Sequence, residues 1–187
     1  MVHGGPRLSR LLPYPERSFF LLGPRGVGKS TWLNARRPRA HPKFFWFDAG
    51  VARAAAGLLH DTPDRTWLGF ALETLVCREL RVYNHVARRN RPIAYCHGGG
   101  GQEIDFVIET KKLTSASPPR IVCIEVTLAD TWRRAWGTPM RSLDAIRGVV
   151  VERMIGVYAG ERSYHYDGVD VLPVKEFLRQ LHGGRVF

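Results

Sequence analysis

Nothing in this sequence approaches the run of about 18 apolar residues that a membrane-spanning helix requires, so no membrane partner is expected. Cysteine is scarce. Cys77, Cys96 and Cys123 stand far apart with no CxxC spacing, which argues against zinc and against a disulfide framework; buried free thiols in a reducing compartment are expected. The opening MVHGGPRLSRLLPYPER lacks the apolar core and small-residue cleavage site of a secretory signal, so the expected location is the cytoplasm. His3, His41, His60, His85, His97, His165 and His182 show no metal-ligand spacing. There is neither an internal repeat nor a coiled-coil register. Acid is also in short supply: 17 Asp and Glu face 28 Lys and Arg, a net charge of +11.

What is present suits a folded domain. Of 187 residues 44% are hydrophobic and 24% charged, enough for one core with a small appendage and unlike a disordered chain. The charge is uneven. Residues 1–41 carry 8 Arg and Lys against one Glu, a net +7, whereas residues 42–187 carry 20 against 16, a net +4. Such a basic arm either neutralises the phosphates of a nucleic acid or serves as a solvated terminus.

Apolar periodicity sets out the elements. Residues 18–22 read as a strand entering a glycine-rich turn, and residues 29–36 as a helix that Pro38 stops. Phe44, Phe45, Trp46 and Phe47 read as a buried strand, with base stacking the alternative use of four aromatics. A short helix is expected over residues 51–59. Thr66 is placed to cap the longest helix, residues 67–86, whose Leu72, Val76, Leu80 and Tyr83 form a stripe of helical period. Strands follow at 93–96, at 103–109 with Ile104, Phe106 and Ile108 on one side, and at 121–127. The last is apolar on both faces except near its end, as a central strand covered by helices would be. The glycines at 98–101 read as a hairpin loop. A helix at 143–148, a strand at 149–158 and a closing amphipathic helix at 175–181 complete an α/β fold: a small mixed sheet with helices on both faces.

Gly23-Pro24-Arg25-Gly26-Val27-Gly28-Lys29-Ser30 matches the phosphate-binding loop G-x-x-x-x-G-K-[ST] between a strand and a helix. Gly23, Gly26 and Gly28 let backbone amides turn inward around phosphate, with Arg25 in the same loop. Lys29 reaches the terminal phosphates, the Ser30 hydroxyl holds magnesium, and Thr31 stands beside it at the helix start. ATP and Mg2+ are the ligands this loop would take. Hydrolysis needs more, namely an acid at the end of a second strand and a basic group for the developing charge. Asp48 is the nearest acid after an apolar run, 18 residues beyond Ser30, and a crossover helix packed on a parallel sheet normally takes more chain than this. The strand–loop–helix unit therefore reads as a remnant that binds nucleotide weakly, with little or no hydrolysis.

Three acids interrupt apolar runs: Glu73 in the long helix, and Asp105 and Glu125 in two strands. Buried carboxylates are unfavourable unless paired, hydrogen-bonded or bound to a cation. Period-two alternation puts Asp105 on a face with Val107, and Glu125 on a face with Thr127. On adjacent strands Asp105 and Glu125 can converge on magnesium. Alternatively each acid faces water at a strand end or accepts backbone hydrogen bonds.

These motifs in this order resemble a known family, the bacterial and archaeal AAA-type ATPases that carry a C-terminal domain of unknown function (number 4143) of restriction-endonuclease-like fold. The likeness runs from the loop through Phe47-Asp48-Ala49-Gly50, Gly69-Phe70-Ala71-Leu72-Glu73, Gln102-Glu103-Ile104-Asp105, Ile124-Glu125-Val126-Thr127 and Val171-Leu172-Pro173-Val174. The resemblance implies a segment over residues 1–41 holding the phosphate loop, a restriction-endonuclease-like domain over 42–187, and the loss of most of the ATPase body between about Arg37 and His41. For a nuclease it implies Asp105 and Glu125 on magnesium, Glu73 assisting, and Thr127 where such folds usually carry the lysine that orients water. Threonine brings no positive charge; Arg133, Arg134 or Arg141 could supply one, but arginine is a poor base. Three functions stay open: a binding module associated with nucleotide or with the DNA phosphate backbone, a magnesium-dependent nuclease, and a non-catalytic interaction domain or inert remnant. Phe19, Phe20, Leu21, Leu22 and Trp32, without the ATPase body, would seek another partner, including a second subunit through the N-terminal strand.

Overall fold

Asp48 opens the first helix among the described residues. Its side chain accepts the Val51 N–H at 3.0 Å and caps α1 (Ala49–Ala55). Asp64 does the same for the Trp67 N–H at 2.7 Å and starts α2 (Arg65–Val86), so the cap is Asp64 rather than the expected Thr66. The computed structural model describes residues 43, 45–97, 103–146 and 148–187. The phosphate loop (Gly23, Arg25, Gly26, Gly28, Lys29, Ser30, Thr31), the strand expected at 18–22, Phe44 and the glycine run at 98–101 lie outside the described residues.

Strands β1 (Ile93–His97), β2 (Glu103–Lys111), β3 (Arg120–Thr127), β4 (Val150–Tyr158), β5 (Tyr164–Tyr166) and β6 (Val169–Pro173) form one mixed sheet in the order β1-β2-β3-β4-β6-β5. The first three run antiparallel, β3, β4 and β6 run parallel, and β5 returns antiparallel on the edge. Between β3 and β4 the chain crosses through a 3-10 helix (Arg134–Gly137) and α3 (Thr138–Asp144); α4 (Val174–His182) follows β6. Alternation along the strands supplies two cores. Phe106, Ile108, Val122, Ile124 and Ile155 pack beneath α2 and α4, where Val76, Leu80, Phe177 and Leu181 are buried. Ile104, Cys123, Tyr158 and Val171 pack on the other side with Trp132 and Met140. The mixed sheet with helices on both faces is therefore observed. Among the described residues no helix is long and apolar enough to cross a membrane.

Two local expectations fail. No strand forms at Phe45, Trp46 and Phe47. Phe45 alone enters the core, 5.8 Å from the Phe106 ring, while Phe47 is exposed at the foot of α1. One inserted ring of the apolar run is buried without a strand. The second failure is in β2. Ala94 opposes Val107 and Cys96 opposes Ile104, so Tyr95 alone faces Asp105 and Phe106. This bulge breaks the period of two. Ile104 consequently packs with Trp132, whereas Phe106 and Ile108 pack under α2, and the single face expected for all three does not exist. Asp105 is likewise released from the face it was expected to share with Val107.

Candidate functional site

The bulge presents Asp105 toward α2, whose third turn brings Glu73 over the same end of the sheet. Lys43 completes the arrangement. It lies two residues before the Phe45 anchor, which fixes where the chain passes. Its ammonium donates to Asp105 Oδ1 at 2.5 Å and stands 3.7 Å from Glu73 Oε2 and 3.7 Å from Glu103 Oε2. The second oxygen of Asp105 accepts the Val126 N–H at 2.9 Å, tying β2 to β3 where their ladder ends. Asp105 is 5% exposed, and both its oxygens are engaged.

The electrostatics follow from this geometry. Burial pushes the Glu73 carboxyl up to about 7, the nearby Asp105 adds to the rise, and Lys43 partly offsets it. Glu125 is also raised, first by burial and then by Asp105, with the Asp105 backbone N–H and Lys43 acting in the opposite sense. Its buried Oε2 makes no hydrogen bond among the described residues. For Lys43 burial works against the charge, but its bond and attraction to Asp105, helped by Glu73 and Glu103, prevail and its pKa rises. At neutral pH the cluster thus holds a fixed cation among acids, two of which burial inclines to keep their protons.

Of the expected site, Glu73, Asp105 and Glu125 are brought together, and Thr127 is not joined to them. Its hydroxyl accepts the Ala129 N–H at 3.4 Å and shapes the turn after β3. The arginines considered as substitutes are committed elsewhere. Arg134 and Arg141 pair with Asp167 at 2.8 and 3.1 Å, and Arg133 lies over the Trp136 ring. Asp48, the acid considered for a nucleotide site, is the cap of α1. The magnesium expected on Asp105 and Glu125 has oxygen donors of the right kind. Yet among the described residues no three His, Cys, Asp or Glu side chains are arranged to hold a metal ion, and the Lys43 ammonium stands among Asp105, Glu73 and Glu103. As placed, the donors do not fit magnesium. Ser30, its other expected ligand, lies outside the described residues.

Sequence reasoning missed Lys43 and Glu103. A signal existed for the first: only five of the 28 basic residues are lysine, and this one borders an aromatic run. Beside the cluster opens a cavity of about 430 Å3, lined by Phe45, Trp46, Trp67, Phe70, Glu73 and Glu103 among others. No reactive thiol contributes. Cys77 and Cys123 are free and buried, and burial pushes both up to about 12.

Comparison with known proteins adds one result. The profile described as a domain of unknown function (DUF4143) matches residues 68–177, which include Glu73, Asp105, Glu125 and Thr127 but not Lys43 or the phosphate loop. No curated protein and no solved structure matches the chain. Since the matched stretch exceeds half of the sequence and runs from within α2 to the first turn of α4, the chain belongs to the DUF4143 family.

Proposed function

We propose that this chain is a non-catalytic binding module associated with nucleic acid, in which an ancestral cation site has been closed by the chain's own ammonium group. The observation that carries the reading is Lys43, seated on Asp105 and within 3.7 Å of both Glu73 and Glu103. A nuclease of the restriction-endonuclease-like kind needs its carboxylates free for a divalent cation and a lysine free for water and phosphate. Here one lysine already stands among the acids, and Thr127 cannot stand in for a second. The excess of +11 supports a polyanionic partner that phosphate contacts would position without reading base sequence. Nucleotide binding at Gly23, Arg25, Gly26, Gly28, Lys29, Ser30 and Thr31 is a separate part of the reading and rests on the loop motif and the family resemblance.

The test is incubation of the full chain with DNA and RNA in magnesium or manganese, alongside thermal unfolding in the same buffers. No cleavage and no metal-dependent rise in the unfolding midpoint are expected for the unaltered chain. Lys43→Met frees the acids for a cation that binds only the folded state, so magnesium should then raise the midpoint. Cleavage by the unaltered chain that disappears in Asp105→Asn would overturn the reading in favour of the nuclease.

A further inference from the structure

The exposed side of α2 and the turn that follows carry an unusual charge. Residues 78–91 contain Arg78, Arg81, Arg88, Arg89 and Arg91 against a single acid, Glu79. That excess of +4 equals the whole net charge of residues 42–187, so the remainder of the domain is balanced and its field is concentrated here. Glu79, the one acid on this stretch, has its carboxylate 3.0 Å from His182. Arg78 reaches Asp48 only at 3.8 Å, and Arg89 donates to the Tyr83 hydroxyl. Arg81, Arg88 and Arg91 form no ion pair among the described residues, and all five arginines are exposed.

The turn holding them is built rather than loose. Asn84 accepts the Arg91 N–H at 2.9 Å through its side-chain oxygen and donates to the Arg91 carbonyl at 2.8 Å. Arg88 and Asn90 adopt φ of 52° and 50°, the left-handed region; at Arg88, just past the helix end, glycine is the usual occupant. Holding a non-glycine residue there costs on the order of 1 kcal/mol, which surrounding structure must sustain. A cation near a helix C-terminus is favoured by only about 0.3–1 kcal/mol and only within the last turn, which does not account for five. Between these groups lies a cavity of about 260 Å3 lined by Arg81, Asn84, His85, Asn90, Arg91 and Ile93, with no carboxylate in its wall.

We infer that this ridge is a docking surface for a nucleic-acid backbone, with a phosphate seated in the cavity between Arg81 and Arg91. Helical spacing aligns Arg78, Arg81 and His85 along one side of α2, and Arg91 lines the same cavity as Arg81 and His85 from the turn that follows. All the cations with a fixed charge are arginines, whose planar forks match phosphate oxygens in pairs. The inference rests on the reading of the chain as a nucleic-acid-associated module and assigns that partner a surface distinct from the Lys43 cluster.

The experiment measures binding of the full chain to a labelled mixed-sequence DNA duplex by fluorescence anisotropy. It is run in EDTA, across a salt series from roughly 50 to 200 mM where phosphate contacts are strongly salt-dependent. Arg81→Gln/Arg91→Gln should lower the slope of log affinity against log salt by about 2 in magnitude, with an unchanged unfolding midpoint. Arg162→Gln/Lys175→Gln, which removes the same charge from residues that do not line this cavity, should leave the slope as it was. An unaltered slope in the first variant overturns the ridge while leaving the module's partner standing. Failure of the unaltered chain to bind DNA overturns both. Polyglutamate that displaces DNA as well as unlabelled duplex does, charge for charge, replaces the nucleic acid with an acidic protein surface and overturns the inference.

Discussion

Lys43, Glu73 and Asp105 show how one side chain changes the meaning of two others. Without the ammonium, Glu73 and Asp105 would repel each other in a poorly solvated corner of the sheet; with it, each has a neighbour of opposite charge. The raised Glu73 carboxyl gives a measurable consequence. Its folded value of about 7 exceeds the ordinary 4.5, so the folded state holds this proton more tightly than the unfolded chain does. Stability from this group is complete below the unfolded value and is lost as pH rises from there through the folded value. Between pH 4.5 and 7 the unaltered chain should therefore lose about 1–2 kcal/mol through Glu73, after allowing for residual solvent access. In Glu73→Gln that slope should flatten, as urea midpoints taken across the window would show. A slope unchanged by the substitution would mean that Glu73 is not buried against Asp105. The residues were only half legible beforehand. Glu73, Asp105 and Glu125 announced themselves as acids among apolar neighbours, because burial of charge is rare without a partner. The partner did not, since nothing local to Lys43 says which acids it will meet across 62 residues of chain.

Elements built on long periodic patterns were read well, and elements decided by pairing were not. The stripe through Val76, Leu80 and Tyr83 fixed α2 to within two residues at its start, and all three side chains are buried. The bulge at Asp105 and Phe106 left no mark in the alternation of Ile104, Phe106 and Ile108, because a bulge is a property of the ladder with β1 and not of β2 alone. The aromatic run at 45–47 met a similar fate, with Phe45 docking as a lone side chain. Beside the site, β4 relies on a glycine for packing. Gly156 pairs with Glu125 on β3, and a Cβ there would stand 2.5 Å from Cη2 of Trp132. Gly156→Ala should accordingly destabilise the fold by about 1–3 kcal/mol, read from urea unfolding, because the ring must leave its place over the sheet. A change within experimental error would show that Trp132 moves freely at this position.

Across the whole molecule most of the net charge lies outside the stretch that the family profile matches. The DUF4143 profile covers residues 68–177, while a net +7 sits in residues 1–41 with the phosphate loop. If that loop binds nucleotide, ATP with magnesium should raise the unfolding midpoint of the unaltered chain and leave Lys29→Ala unmoved, since a ligand stabilises only the state that binds it. An equal effect on both, or none on either, removes nucleotide from the proposed function. Steady-state phosphate release should remain at background in either case.

The sequence alone determined the composition-level properties: a mixed α/β chain with an apolar core, an arginine-rich surface, separated free cysteines, and three acids set where acids are expensive. Those follow from residue type and short-range periodicity, which any reader of the chain can apply. Tertiary structure decided what the acids meet. Only the folded sheet places Lys43 among them, turns the Thr127 hydroxyl to the Ala129 N–H, and commits Arg134 and Arg141 to Asp167. The reason is physical: a charge acquires its role from the groups within a few ångströms of it, and those groups come from segments that the linear order keeps far apart.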